Sequence, residues 1–300
     1  MAVNTVASVY LANTLSTYMA AATNEPTLNT GESKKKIYPP RNPVLRALQI
    51  IYCIYAVLLF VLMMLVVLVL VFLCTLLGKV RGGNAMYVVM NGWALAWCFC
   101  IGMWHKEIYE APVDRSKQYI FVANHISYMD IPAAVLSIHQ PLRILGKQEM
   151  VKYPIFGLIY RLAAISVDRT SAEGRARSVR ALKAALAQHI SIFIFPEGTF
   201  NETGEPLKSF YDGAFRIAIE TGTPIKPLLF LDTHQRMHYR GFLELTPGVT
   251  RTVYLPDVPV DDYTIAQVKA LKEKVYSMME DGLRRYQKKY QQDERIAVTQ

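Results

Sequence analysis

Two side chains that can perform acid–base chemistry stand close together in segment 124–130, which reads NHISYMD. On a regular helix a spacing of five residues turns two side chains about 140° apart, so His125 and Asp130 can meet only if His125 lies in the turn before the helix. A carboxylate bonded to one imidazole nitrogen fixes the tautomer and leaves the other nitrogen basic. The pair therefore predicts a general base that removes a proton from a hydroxyl group.

The same segment also fits a purely structural interpretation. Ser127 followed three residues later by Asp130 is similar to a capping box, in which Asp130 only stabilises the first turn of a helix and His125 is a loop residue. Segment 124–130 alone leaves both interpretations open.

A second cluster favours the chemical interpretation. Segment 193–199, FIFPEGT, is an apolar strand that ends at Pro and Gly, and it delivers Glu197 and Thr199 to a strand end. Taken alone it indicates only a turn. Two strand ends that carry acid–base residues together predict one shared cleft.

The pair of motifs resembles a known family. An Asn-His-x-Ser-x-x-Asp block followed by Phe-Pro-Glu-Gly-Thr is similar to the PlsC-type glycerolipid acyltransferases, the 1-acylglycerol-3-phosphate acyltransferase family. The resemblance covers residues 119–254 and keeps the order of four blocks. Segment 167–169, VDR, resembles the second block, and segment 223–227, TPIKP, resembles the fourth.

The resemblance implies a reaction. A fatty acyl group would pass from a thioester of coenzyme A or acyl carrier protein to the sn-2 hydroxyl of 1-acylglycerol 3-phosphate, giving phosphatidic acid. His125 would deprotonate the hydroxyl, Asp130 would orient His125, and the oxygen would attack the thioester without an acyl-enzyme. A positioned base typically contributes about a hundred- to ten-thousandfold. No metal or cofactor is expected beyond the acyl thioester, which is a co-substrate.

The resemblance also implies an acceptor-binding set. Arg169 would hold the phosphate, because a guanidinium group matches phosphate oxygens in pairs; the alternative is a surface arginine at the start of a basic helix. The other expected acceptor-binding residues are Glu197, Gly198, Thr199, Asn124, Ser127 and Lys208.

Three departures from the family pattern concern the acceptor. Phe200 stands where many members carry Arg, Lys226 interrupts the usually apolar fourth block, and Ala163 or Ala164 replaces a glycine before the second block. These changes leave the reaction type intact. They leave open a different lysolipid head group, such as a lyso-amino-acid lipid.

Other classes of function remain as alternatives. A hydrolase could use His125, Asp130 and Glu197 as metal ligands, although no histidine pair at metal-ligand spacing or carboxylate run was found to accompany them. A non-enzymatic membrane scaffold would explain the apolar segments without the two motifs. Nucleic-acid binding is disfavoured, since the aromatic residues mostly lie in apolar runs rather than among Lys and Arg.

The elements that must position these residues alternate between β-rich and helical patterns, which predicts an α/β layer architecture. The resemblance implies that the sheet is mixed, largely parallel and flanked by helices, as in the PlsC-type acyltransferase fold. The predicted strands are 118–123, 142–146, 164–167, 190–195, 225–231, 241–245 and 250–255. The predicted helices are 130–138, 172–188, 214–221 and 264–290.

The N-terminal third predicts a membrane anchor. Residues 48–77 form an apolar run long enough to cross a bilayer as a helix, and the weaker run 86–104 is just long enough. Either both runs span as a helical hairpin, or the second lies at the interface. Basic residues on both flanks favour a hairpin with cytoplasmic ends and a catalytic domain facing the cytoplasm, on an inner or cytoplasmic membrane. They are Lys34, Lys35, Lys36, Arg41, Arg46 and Lys106.

Composition and length agree with this organisation. The chain of 300 residues is 52% hydrophobic and only 19% charged, which excludes disordered and fibrous classes. The net charge of +9 suits an anionic partner such as a phosphorylated substrate or membrane lipids. We expect a tail and linker at 1–43, anchoring helices at 44–106 and an acyltransferase domain at 107–300. The role of residues 1–30 is not assigned. The cysteines are expected to be small hydrophobic residues rather than disulfide partners; they are Cys53, Cys74, Cys98 and Cys100.

Overall fold

The computed structural model describes residues 42–153, 155–167, 171–239 and 241–298, with side chains described as far as residue 288. A seven-stranded sheet has the order β1-β7-β6-β2-β5-β3-β4. All neighbouring strands run parallel except β6 and β7. The mixed, largely parallel sheet predicted from the sequence is confirmed. The strands are β1 (Met103–Tyr109), β2 (Ile120–Ala123), β3 (Leu142–Lys147), β4 (Ala164–Val167), β5 (Ser191–Ile194), β6 (Ile225–Phe230) and β7 (Gly248–Tyr254).

Helices cover both faces of this sheet. The α-helices are α1 (Pro43–Thr75), α2 (Lys79–Cys100), α3 (Asp130–Ser137), α4 (Phe156–Ala163), α5 (Ala172–Leu186), α6 (Gly213–Thr221), α7 (Thr233–Arg236) and α8 (Val268–Val298). Three 3₁₀ helices lie at Gln148–Lys152, Phe242–Glu244 and Ile265–Gln267.

The sheet separates two apolar cores, one on each face, and strand β2 contributes to both. Successive side chains of a strand point to opposite faces, so Ile120 and Val122 face one core while Phe121 and Ala123 face the other. The first core is filled by α5, α6 and α8. The second core packs the sheet against α3. A strand buried on both faces explains the uninterrupted apolar sequence before the Asn-His motif.

Helices α1 and α2 form an antiparallel pair beside α3. Gly78, with a φ of +79°, lies between them, and Gly82 allows α2 to approach α1, since a Cβ there would lie 2.3 Å from the carbonyl oxygen of Cys74. At the other end, Trp97 Nε1 donates to the carbonyl of Ala56 at 3.1 Å. Helix α2 is also tied to α3, because Asn91 Nδ2 donates to the carbonyl of Val135 at 2.7 Å.

Of the helices that the structure describes, only α1 is long and apolar enough to cross a membrane, with 33 residues. Large apolar side chains along its length are exposed, including Leu48, Leu62 and Phe72. The second predicted span, 86–104, is divided between α2 and the start of β1, and α2 packs between α1 and α3. The first apolar segment therefore exposes much of its apolar surface, whereas the second packs against two other helices.

The sequence prediction was wrong at three places. The range 241–245 was predicted as a strand, but Phe242–Glu244 form a 3₁₀ helix there; a five-residue segment is too short for periodicity to separate the two. Strand β1 was missed because it directly follows the apolar run of α2, and it begins within the range predicted for the anchor. Helix α4 was missed as well.

Candidate active site

The two sequence motifs meet at one edge of the sheet. Strands β2 and β5 are parallel neighbours, with Ile120 opposite Ile192. Parallel strands place their carboxyl ends at the same edge, where α/β proteins usually carry their sites. The loop after β2 begins with Asn124 and His125, and the loop after β5 begins with Phe195.

His125 and Asp130 are joined by a hydrogen bond of 2.8 Å between Nδ1 and Oδ2. Helix α3 begins at Asp130, and His125 lies in the turn before it, as the five-residue spacing required. The same Oδ2 accepts the backbone N–H groups of Ile126 at 2.7 Å and Ser127 at 2.8 Å. Asp130 thus stabilises the turn and orients the imidazole, so one carboxylate makes the contacts that both interpretations require.

The bond to Asp130 fixes the function of each ring nitrogen. A carboxylate only accepts hydrogen bonds, so Nδ1 carries the proton and Nε2 keeps a basic lone pair. The His125 side chain is 17% exposed, whereas that of Asp130 is completely buried. The arrangement can therefore take a proton from a group that approaches Nε2.

Two phenylalanine rings flank the imidazole. Phe195 stacks on it with ring centroids 3.9 Å apart and an interplanar angle of 14°. Phe200 lies 4.3 Å away at 52°. Phe195 therefore covers one face of the imidazole, and Phe200 packs against the ring at a tilt.

Glu197 connects the two loops. Its Oε1 accepts the backbone N–H of His125 at 2.9 Å, and its Oε2 accepts the backbone N–H of Lys208 at 2.9 Å. The side chain is fully buried, and burial raises the pKa of Glu197 to about 7 although both backbone N–H groups lower it. Both oxygens have backbone partners, so Glu197 holds the His125 loop; its predicted contact with the acceptor stays a prediction.

Asn124 and Ser127 also have partners within the protein. Asn124 Nδ2 donates to the carbonyl of Phe230 at 3.0 Å, and Asn124 Oδ1 accepts the N–H of the same residue at 2.8 Å. Ser127 Oγ donates to the carbonyl of Met237 at 2.6 Å. Both side chains are buried. These bonds fix the loop after β2, and the predicted contact of Asn124 and Ser127 with the acceptor stays a prediction.

Gly198, Thr199 and Lys208 lie together after β5. The N–H of Gly198 closes a turn on the carbonyl of Phe195 at 3.1 Å, and its φ of +77° is one that glycine adopts without strain. Lys208 Nζ donates to Thr199 Oγ1 at 2.7 Å. Thr199 and Lys208 are half-buried, so both can meet a ligand. Arg169 lies outside the described residues, and its role stays a prediction.

A comparison with protein families matches residues 106–231 to the family described as Acyltransferase. The matched range contains both motifs and the strands that carry them. The chain contains an acyltransferase domain.

Curated relatives of this acyltransferase carry a common description. The chain is 27% identical over 212 residues to a 1-acyl-sn-glycerol-3-phosphate acyltransferase of Cocos nucifera. The match covers 70% of this chain and 67% of the relative. The chain is 32% identical over 168 residues to the protein of the same description from Escherichia coli (strain K12), covering 55% and 66%. The chain thus spans about two thirds of these relatives.

The fold of this acyltransferase has a solved counterpart. The crystal structure of the 1-acyl-sn-glycerophosphate (LPA) acyltransferase PlsC from Thermotoga maritima is similar with a TM-score of 0.62 and 20% identity. The match covers 82% of this chain and 97% of that chain. At this identity the likeness supports the fold alone.

Sequence reasoning missed one basic residue at the site edge of this acyltransferase. Lys147 is the last residue of β3, it pairs in register with Val167 at the end of β4, and it is half-buried. The segment that contains Arg169 begins directly after Val167. The available signal was a lysine that directly follows the predicted strand 142–146.

The metal-hydrolase alternative lacks a ligand set. Among the described residues, no group of three or more His, Cys, Asp and Glu side chains is placed to hold a metal ion. One His-x-x-x-His spacing was overlooked, at His234 and His238, whose ring centroids are 4.4 Å apart. Two imidazoles supply fewer ligands than the three or four protein ligands of zinc sites.

Proposed function

We propose that this enzyme transfers a fatty acyl group from an acyl thioester to the sn-2 hydroxyl of 1-acylglycerol 3-phosphate and forms phosphatidic acid. The observation that carries the proposal is the hydrogen bond between His125 and Asp130 at the carboxyl edge of the sheet. The printed descriptions of the curated relatives supply the acceptor. The donor is acyl coenzyme A or an acylated carrier protein.

The reaction needs one base and no covalent intermediate. Nε2 of His125 takes the proton as the hydroxyl oxygen forms a bond to the thioester carbon. The carbon–sulfur bond then breaks, and the imidazolium returns its proton to the leaving thiolate. Asp130 stabilises the imidazolium through Nδ1. A thioester is already activated, so the main task of the protein is to make the hydroxyl nucleophilic.

The acceptor phosphate is expected to lie near the basic side chains at this edge. Lys147 ends β3, Lys208 contacts Thr199, and Arg169 follows β4 in sequence. Lysine and arginine both suit phosphate, with arginine giving the more directional contact. Lys147 ends β3, while Arg169 and Lys208 follow β4 and β5 in the sequence, so the acceptor would be held by several contacts.

The apolar helices place the site next to the lipid in this proposal. Helix α1 exposes large apolar side chains and is long enough to span a bilayer. Removing such surface from water is favourable by roughly 25 cal/mol per Å². The basic residues before α1 favour a cytoplasmic orientation of the catalytic domain. Neither the lysolipid tail nor the product tails then need to cross bulk water.

A panel of acceptors tests the proposal. Detergent-purified protein would receive a labelled acyl thioester and, in parallel, lysophosphatidic acid, glycerol 3-phosphate or a lyso-amino-acid lipid. We expect labelled product with lysophosphatidic acid. Product only with a lyso-amino-acid lipid would overturn the acceptor and keep the reaction type. The absence of transfer to every acceptor, with a folded protein, would contradict the proposed function.

A further inference from the structure

The imidazole of His125 is enclosed by two aromatic rings that come from the same loop. Phe195 and Phe200 lie at centroid distances of 3.9 Å and 4.3 Å from it. The two phenyl rings make no ring contact with each other, so they flank the imidazole on different sides. Phe195 belongs to the Phe-Pro-Glu-Gly-Thr motif, whereas Phe200 follows it at the position where the family pattern often carries Arg.

We propose that Phe200 is a positioning residue for His125, and that it supports catalysis by stabilising the orientation and the charged form of the imidazole. The inference rests on the proposed function, because it requires His125 to act as the base. Phe200 does not contact the acceptor phosphate in this account. At this position the chain carries an aromatic ring, whereas the family pattern often has a positive charge.

Two physical effects support the role. A ring packed on both sides is confined to the rotamer in which Nδ1 meets Asp130 and Nε2 points into the cleft. A cation over an aromatic face is stabilised through the ring quadrupole. Nε2 gains a proton during the reaction, so this stabilisation is larger in the transition state than in the ground state, as catalysis requires.

Phe200 is itself held in place by neighbouring rings. Tyr128 meets it edge-on with centroids 4.8 Å apart, and Tyr239 stacks at 6.3 Å. The backbone after Phe200 is also fixed, since the N–H of Asn201 donates to the carbonyl of His125 at 2.7 Å. The phenyl ring is therefore tied to the residue on which it is proposed to act.

The ionisable groups around the imidazole come from three elements. Asp130 lies on α3 and bonds Nδ1, Glu197 follows β5 and bonds the backbone of His125, and Tyr128 lies in the loop before α3. Lys208 is connected to the same network through Glu197 and Thr199. All four groups remain when Phe200 is changed. A shift of the pH profile in a Phe200 variant would therefore be caused by the change of the aromatic ring and not by the loss of an ionisable group.

The test compares Phe200→Leu with Phe200→Tyr in the full-length enzyme. Leucine keeps apolar volume but removes the ring face, whereas tyrosine keeps the face. For Phe200→Leu we expect kcat to fall about three- to tenfold, KM for lysophosphatidic acid to stay within about twofold, and the acidic limb of the kcat profile to move to lower pH. Phe200→Tyr should retain at least half of the wild-type kcat. Tyr211→Leu, at an exposed aromatic residue in the same segment, is the matched control and should behave as wild type.

A third variant separates positioning from head-group binding. Phe200→Arg is expected to lower kcat without lowering KM for lysophosphatidic acid; a lower KM at unchanged kcat would overturn the proposal. A wild-type kcat and profile in Phe200→Leu, or equal losses in the Leu and Tyr variants, would also overturn it. His125→Ala measured alongside keeps the two claims apart. If His125→Ala is inactive while Phe200→Leu is unchanged, only this inference fails; an active His125→Ala would remove the proposed function itself.

Discussion

Glu197 Oε1 accepts the backbone N–H of His125 at 2.9 Å, although the two residues are 72 positions apart in the sequence. Glu197 of the second motif therefore holds His125 of the first motif through the main-chain N–H of His125. With the other oxygen bonded to the N–H of Lys208, one carboxylate connects the loop after β2 to the chain beyond β5. This contact makes the geometry of His125 depend on both motifs.

Glu197→Gln tests this connection. An amide can accept through only one of its ends, so its NH₂ group would face one of the two backbone N–H donors. We expect kcat to fall about tenfold or more and the free energy of unfolding to fall by about 1 to 3 kcal/mol, the cost of an unsatisfied buried group. Steady-state kinetics and thermal unfolding in detergent would measure both. Unchanged kcat with intact stability would contradict the assignment.

The pKa of Glu197 gives a pH-dependent stability. Burial raises it from its ordinary value of 4.5 to about 7, so the folded state binds this proton more tightly than the unfolded state. The stabilising contribution is therefore full below pH 4.5 and is lost as the pH rises through 7, by about 3 kcal/mol in total. The unfolding temperature of the wild type should decrease over this range more than that of Glu197→Gln. Parallel curves for the two proteins would argue against the raised pKa.

Asp130→Asn should leave the fold intact and reduce turnover. Asparagine can still accept the N–H groups of Ile126 and Ser127, but it provides no negative charge to stabilise the imidazolium of His125. We expect kcat to fall about a hundredfold or more with little change in KM. Circular dichroism would check the fold. A kcat within threefold of the wild type would contradict the role of Asp130.

Lys147→Ala should weaken acceptor binding more than it slows the chemistry. Removing an ammonium group near the phosphate is expected to raise KM for lysophosphatidic acid about tenfold, and Lys147→Arg should recover part of the loss. Lys152→Ala, at an exposed position five residues further on, is the control. An unchanged KM in Lys147→Ala would remove it from the phosphate site. Arg169→Ala is expected to show the same pattern as Lys147→Ala.

Tyr87→Phe tests the contact between helix α2 and the end of α3. The Tyr87 hydroxyl donates to the carbonyl of Ile138 at 2.6 Å, at the end of α3. Its loss should lower the free energy of unfolding by about 1 kcal/mol. Since Asp130 begins the same helix, a small decrease of kcat should accompany the lower unfolding temperature. The matched variant Tyr211→Phe, at an exposed side chain, should change neither quantity.

The sequence predicted the central strands and the contact between His125 and Asp130 for physical reasons. Strands β2 and β5 are buried on both faces, so their apolar runs are continuous and end where polar residues begin. The five-residue spacing required His125 to precede the helix, and α3 begins at Asp130. Local patterns were sufficient because both features depend on neighbouring residues.

The functions of Glu197 and Phe200 depended instead on tertiary contacts. Which N–H groups a buried carboxylate accepts depends on how two distant loops approach each other, and residue types do not reveal this. The residue type at position 200 indicates a departure from the family pattern, but it does not reveal that the Phe200 ring packs at a tilt beside His125. Strand β1 was hidden because its alternating pattern joins the apolar run of α2.

The most direct test of the account is acyl transfer to lysophosphatidic acid by His125→Ala protein, measured as labelled phosphatidic acid formed from a labelled acyl thioester. His139→Ala is the matched control, because His139 bonds Glu107 rather than Asp130. The account predicts that His125→Ala loses about a hundredfold or more of the wild-type kcat while His139→Ala keeps it. A folded His125→Ala protein that forms phosphatidic acid at a rate within threefold of the wild type would contradict the central claim that His125 is the base.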